Sequence, residues 1–205
     1  MSAARAKSGP SQFLELVLII ATALGLALAI QAFLIKPYRI PSESMEHTLD
    51  IGQRVLVNRI GNRFSDPELG EIMVFHPPSG SRASQCGDPG QGQGQGQPCG
   101  RPTPQRSNLN FIKRVVALPG DRIAIRDGRV IRNGRSQPEP YVIPCRGLEE
   151  CNFPEPITIP PGHYFMMGDN RGSSDDSRFW GPVPKRWTVG GAFATYWPPG
   201  RIGLL

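Results

Sequence analysis

One apolar run dominates the hydrophobic pattern of the chain. Leu16 to Ile35 is twenty residues broken only by Thr22, Gly25 and Gln31. As a helix it would be about 30 Å long, enough to cross a hydrocarbon core. Arg5 and Lys7 precede it, which favours an N-terminus on the cytoplasmic side and sends everything after Lys36 across the membrane. Lys36 and Arg39, on the far side, work against that orientation. A second reading is a secretory signal removed after export, because Ala27-Leu28-Ala29 has a small-x-small pattern. The run continues well beyond the usual length of a signal core, so the uncleaved anchor is favoured. The expected organisation is a tail over 1–12, an anchor over 13–36 and an exported domain over 37–205.

Past the anchor the period changes from continuous to two. Gln53 to Asn58 alternates, with Val55 and Val57 on one face, and Glu71 to Phe75 is a second short apolar run. Phe111 to Leu118 is a third, closed by the turn signal Pro119-Gly120-Asp121. Arg122–Ile125 and Arg129–Ile131 flank Asp127-Gly128, a hairpin signature, and Asn133-Gly134 follows. His163 to Met167 and Val189 to Trp197 complete the set. No segment here sustains a helical period, so the domain is expected to be mostly β, with antiparallel sheets. Trp180, Trp187 and Trp197 are expected to pack in the core in at least two cases, with interfacial contact as the other role.

Composition alters this picture in three places. The 24 glycines and 22 prolines fit a turn-rich domain and argue against a helical bundle. From about 77 to 107 apolar residues almost vanish, and Gln91 to Gln97 alternates glutamine with glycine. Such a segment buries too little to offset its ordering entropy and is expected to be a flexible surface insertion. The net charge of +6 is spread without aromatic interleaving, which suits solubility and anionic lipid rather than nucleic acid. The cysteines form two local pairs, Cys86/Cys99 and Cys145/Cys151, with neither CxxC spacing nor nearby histidines to suggest zinc. Two disulfides in an oxidising compartment, or four free thiols, are the remaining readings. No metal or cofactor is expected.

Candidate chemistry begins at Ile40-Pro41-Ser42-Glu43-Ser44-Met45. Pro41 restricts its own backbone and that of Ile40, so the approach should be extended, with Ser42 and Ser44 pointing to one side. A hydroxyl needs a base to be a useful nucleophile, and His47, His76 and His163 lie singly with no marked carboxylate partner. Lys113 shares a strand face with the apolar Phe111 and Val115. Burial there would strip solvent from the charged amine and lower its pKa, making a general base; the alternative is a stem lying on the sheet with its head in water. Gly168 to Arg178 packs glycine, hydroxyl and charge into one turn, able to orient an amine and brace a loop.

These stretches, in this order, resemble the successive motifs of type I signal peptidases. They are Pro41-Ser-Glu-Ser-Met45, Gly70-Glu-Ile-Met-Val-Phe75, Ile112-Lys-Arg-Val-Val-Ala-Leu-Pro-Gly-Asp121 and Gly168-Asp-Asn-Arg…Asp176-Ser-Arg178. The resemblance runs from about Leu16 to Trp197 and omits the insertion. It implies a Ser44 nucleophile with Lys113 as general base, and an oxyanion hole made by Ser42 and the Ser44 N–H. It also implies that Ser174 orients the lysine, that Asp176, Arg178 and Asp169 support the site, and that Ile40, Pro41 and Met45 line a shallow pocket. Five positions depart from the family pattern. Gly172-Ser173 stands for an Asp-Asn pair, Glu71 for aspartate, His47 for proline and Phe111 for tyrosine.

The expected activity is therefore membrane-anchored cleavage of signal peptides from exported preproteins after small-x-small sequences. The expected partners are those preproteins and the lipid bilayer, at a plasma or thylakoid-type membrane. Two other readings are a self-cleaving Ser/Lys protease and a non-enzymatic anchored β-domain that binds a partner.

Overall fold

The structure, a computed structural model, describes residues 12–91, 96–145 and 151–205. The expected tail lies almost wholly outside these. Gln12–Phe33 is helix α1. Its window Gln12–Ala29 has mean hydropathy 2.1 and none of it is buried in protein, so α1 is long and apolar enough to cross a membrane and adds nothing to the core.

Strand β1 (Ile35–Arg39) follows at once, then β2 (Arg54–Asn58), the single turn α2 (Gly61–Phe64), β3 (Ile72–Phe75) and β4 (Phe111–Ala117). Next come β5 (Arg122–Arg126), β6 (Arg129–Arg132), β7 (Arg135–Ser136), β8 (Phe153–Thr158) and β9 (His163–Met167). The turn α3 (Ser177–Trp180), β10 (Val183–Pro184), β11 (Thr188–Trp197) and β12 (Gly203–Leu204) complete the described elements. The larger sheet runs β1-β2-β11-β3-β4-β9-β10, with β12 on β11, and the smaller runs β7-β6-β5-β8. The pairings are antiparallel, so the mostly β, antiparallel expectation holds.

Strands β1 and β8 escape the sequence pattern for one reason. Pro37 and the pair Pro154 and Pro156 each remove a ladder donor, which a strand tolerates only at an edge. Both strands are edges. The hairpin signals hold: Asp127 and Gly128 take φ of 51° and 76°, Asn133 and Gly134 52° and 77°, the left-handed pairs of type I′ turns.

The centre of the large sheet is buried on both faces. Ile72, Val74 and Ile112 pack with Ile40, Met45, Leu49, Val55 and Val57 on one side. Met73, Phe75 and Val115 pack on the other with Phe165, Met167, Trp180 and the small-sheet residues Ile123 and Ile125. Trp180 and Trp187 are core residues, while Trp197 is half exposed.

The insertion is more closely attached than its composition suggests. Pro78 bridges to Arg106, Ser79 N–H donates to the Gln105 carbonyl, and Cys86 is bonded to Cys99. Cys99, Ser81 and Thr103 are buried, and the Cys99 N–H donates to the Arg178 carbonyl at 2.9 Å. Its base is thus part of the fold, against the expectation of a loop standing clear of it. Residues 92–95, the centre of the glutamine–glycine repeat, lie outside the described residues. The second cysteine pair, Cys145–Cys151, is also bridged.

Candidate active site

Pro41 ends the extended approach as expected, but the serines do not share one extended strand. Ser42 is extended at φ −140° and ψ 163°, and Glu43–Met45 then winds into a 3-10 turn. Ser44 is buried and Ser42 exposed, yet their hydroxyl oxygens lie 3.4 Å apart. The turn places the Ser44 N–H in the first turn of a helix, where backbone donors lack an intrahelical acceptor.

Lys113 lies at the middle of β4, opposite Met73 on β3. The residue is 4 % exposed, its Nζ 5.9 Å from the Phe111 ring centroid. Burial among apolar neighbours pulls the amine down to about 8, against the opposing pull of Asp176 and Asp175. The stem-on-sheet, head-in-water alternative for Lys113 is therefore not what the fold builds.

Ser44 and Lys113 line one cavity of about 550 Å³ with Ile40, Pro41, Ser42, Val74 and Ile112. Among the described residues no hydrogen bond joins Lys113 to Ser44 or to Ser174. Catalytic hydrogen bonds of this kind tighten when substrate binds. More of the wall comes from Tyr38 and Arg39 on β1, Leu109 and Asn110 before β4, Phe111 on β4, Ser173 and Asp175 of the 168–178 loop, and Arg82 of the insertion. Leu109, Asn110 and Arg82 escaped sequence reasoning because they are far from the serines in the chain, and Tyr38 and Arg39 because nothing in their chemistry marks them.

The 168–178 loop is fastened to the serine turn from several directions. The Asn170 N–H donates to the Ser44 carbonyl at 3.1 Å. A Cβ on Gly168 would lie 2.5 Å from that same carbonyl and closer still to the Ser174 hydroxyl, so glycine is required by close approach. Thr48 donates to Asp169 at 2.5 Å, and Arg114 holds the same carboxylate through Nε at 2.9 Å and Nη2 at 2.6 Å. Asp169 therefore braces the turn rather than facing the cavity.

Behind Lys113, Ser174 donates to Asp176 at 2.8 Å, and Arg178 grips that carboxylate at 2.8 and 2.9 Å. Burial opposes the Asp176 charge, but the Arg178 guanidinium outweighs it and holds the carboxyl below its ordinary range. Asp175, at the cavity wall, is pushed up to about 6 by burial and by Asp176. Arg178 also lies against the sulfurs of Cys145 and Cys151. Arg171, wholly buried, pairs with Glu139 at 2.5 Å and donates to the carbonyls of Gly168 and Gly128, tying the loop to the small sheet.

Of the residues expected at the site, Ser42, Ser44, Lys113, Ile40 and Pro41 line the cavity. Met45 does not: it is fully buried in the core beside Leu49, because the 3-10 turn rotates it inward. Ser174, Asp176 and Arg178 stand behind the cavity wall.

Comparison with known proteins supplies the class and then the family. The signal peptidase family, peptidase S26, matches residues 13–197. A probable signal peptidase I from Synechocystis is 36 % identical over 193 residues, 94 % of this chain and 77 % of that protein. The signal peptidase I of Leptolyngbya laminosa is 33 % identical over 99 % of this chain and 89 % of its own. A chloroplastic thylakoidal processing peptidase of Arabidopsis thaliana is 35 % identical over 88 % of this chain and 47 % of its own. A solved signal peptidase I from Enterococcus faecalis, 26 % identical, covers 62 % of this chain and 97 % of its own with a TM-score of 0.39.

The chain is a serine endopeptidase. It belongs to the signal peptidase family, peptidase S26, and within it to the signal peptidase I group that cleaves signal peptides.

Proposed function

We propose that Ser44 is the nucleophile and Lys113 its general base. The observation that carries this is a lysine amine held near neutrality by burial, in the same cavity as a buried serine hydroxyl. Neutral Lys113 Nζ takes the Ser44 proton as Oγ attacks the scissile carbonyl. The oxyanion is held by the Ser44 N–H and the Ser42 hydroxyl. The protonated amine then gives its proton to the leaving nitrogen, freeing the mature chain and leaving an ester on Ser44. Water, deprotonated by the same amine, hydrolyses that ester and releases the signal peptide. Asp176 and Arg178 fix Ser174 behind the lysine, and Ser174 keeps lone pairs with which to accept from Nζ.

The substrate is a preprotein cleaved after a small-x-small sequence, with Ile40 and Pro41 in the wall of a shallow apolar pocket. Arg5 and Lys7 place the N-terminus in the cytoplasm and the β-domain outside, on a plasma or thylakoid-type membrane. From Ile35 an extended tether reaches at most about 30 Å, which keeps Ser44 near the surface where a preprotein exposes its cleavage site.

The test is incubation of the detergent-solubilised chain with a preprotein, followed by sequencing of the new N-terminus. Ser44→Ala and Lys113→Arg should each lower cleavage by at least about 10³-fold while leaving the melting profile of a folded domain. Arginine fails as a base because it keeps its proton. Near wild-type cleavage by either variant contradicts the assignment.

A further inference from the structure

A second cavity, about 820 Å³, adjoins the first, and Tyr38 and Asn110 belong to both. Among the described residues its lining carries Lys36, Arg59, Arg106, Lys185 and Arg186 and no carboxylate. Lys185 donates to Asp66 at 2.6 Å, on an exposed carboxylate outside the lining. Cations concentrated in one concavity create a positive potential that attracts an anion. Asn62, Asn110 and His76 add polar groups between the cations.

The basin lies where the chain leaves α1. Lys36 is the third residue after Phe33, and the Arg59 N–H donates to the Leu34 carbonyl at 2.9 Å. Phe64, 85 % exposed at the end of α2, follows five residues after Arg59. An apolar ring and a cluster of lysine and arginine beside a membrane-spanning helix match the boundary between acyl chains and anionic headgroups. Guanidinium groups bind phosphate through paired donors, the chemistry such a headgroup offers.

We propose that this basin binds the phosphate of an anionic lipid headgroup. The inference rests on α1 crossing a membrane and not on the cleavage chemistry. Occupancy would fix how the β-domain sits on the bilayer. Lys36 Nζ lies 5.5 Å from the Tyr38 ring centroid, so a headgroup on Lys36 presses on a wall of the Ser44 cavity and sets how the cavity faces the surface.

The experiment is native mass spectrometry of the full chain in neutral detergent, mixed with phosphatidylglycerol or phosphatidylcholine. The wild type should retain phosphatidylglycerol about ten-fold over phosphatidylcholine. Arg106→Glu with Arg186→Glu should abolish that preference. Arg129→Glu with Arg135→Glu, an equal charge change on exposed residues of the small sheet, should leave it intact. If the basin reversal does not fold, Arg106→Gln with Arg186→Gln reads the same loss. Equal retention of both lipids, or equal loss in basin and control variants, overturns the proposal. So does full displacement of phosphatidylglycerol by millimolar inorganic phosphate, which marks a free-phosphate site. Displacement by an acidic peptide at a lower concentration than any lipid marks a polypeptide groove, and overturns it too.

Discussion

At the scale of single residues, Lys113 gives stability to chemistry. The sequence places it on an apolar strand face but leaves open whether its head reaches water, because that depends on what covers the strand. The covering elements are the serine turn and the 168–178 loop, more than fifty residues away on either side in the chain. Burial makes the folded-state pKa lower than the unfolded one, so the native protein gains stability as pH rises from about 8 towards the ordinary lysine value of 10.5 and lacks that gain below about 8. Lys113→Met should therefore raise the melting temperature at pH 7 by about 3 °C, and the advantage should shrink above pH 8. A lower melting temperature at pH 7 would mean that the amine is stabilised where it lies. Arg114–Asp169 and Arg171–Glu139 were not legible as pairs at all, since spacing in the chain carries no sign of them; Arg114, Asp169 and Arg171 stand in the family motifs, but only Asp169 was expected to support the site.

At the scale of elements, the alternating strands and the two glycine hairpins were legible because each is a local pattern. The edge strands β1 and β8 were not, because proline masks them, and the serine segment was read as extended where its last residues form a turn. That turn and the loop after β9 form one unit, joined by Asn170, Thr48 and Arg114 and by the near contact of Gly168 with both Ser44 and Ser174. Gly168→Ala inserts a methyl where backbone already sits. It should cost about 1–3 kcal/mol of stability. It should also lower kcat by about 100-fold through displacement of Ser44, both measurable by thermal melting and preprotein cleavage. Wild-type turnover in that variant would show that the two segments are not coupled. The bland composition of the insertion concealed its attachment, which comes from the bonds of the Cys99 N–H to the Arg178 carbonyl and of Ser84 to Asp175.

At the scale of the molecule, a span and a β-domain meet over a few residues. None of the tested window of α1 is buried, so its removal uncovers no core. A chain beginning at Leu34 should melt like the full protein and cleave a short soluble peptide, yet lose most processing of preprotein in vesicles. Equal vesicle processing by both chains would show that the tether contributes nothing. The order of motifs along the chain made the family legible before the fold was known, whereas the basic basin beside the span was not. Its lining is drawn from five separated segments.

The central claim, that a buried neutral amine serves Ser44, is tested most directly by kcat/KM against pH for the wild type and Asp175→Asn side by side. The wild-type value should rise with loss of one proton to a plateau, with its midpoint near the lysine value of about 8, since this profile reports the free enzyme. Asp175 pulls the Lys113 pKa upward, so its neutralisation should move the midpoint to lower pH. A wild-type midpoint in the ordinary histidine range near about 6.5, or one unmoved by Asp175→Asn, would contradict the account.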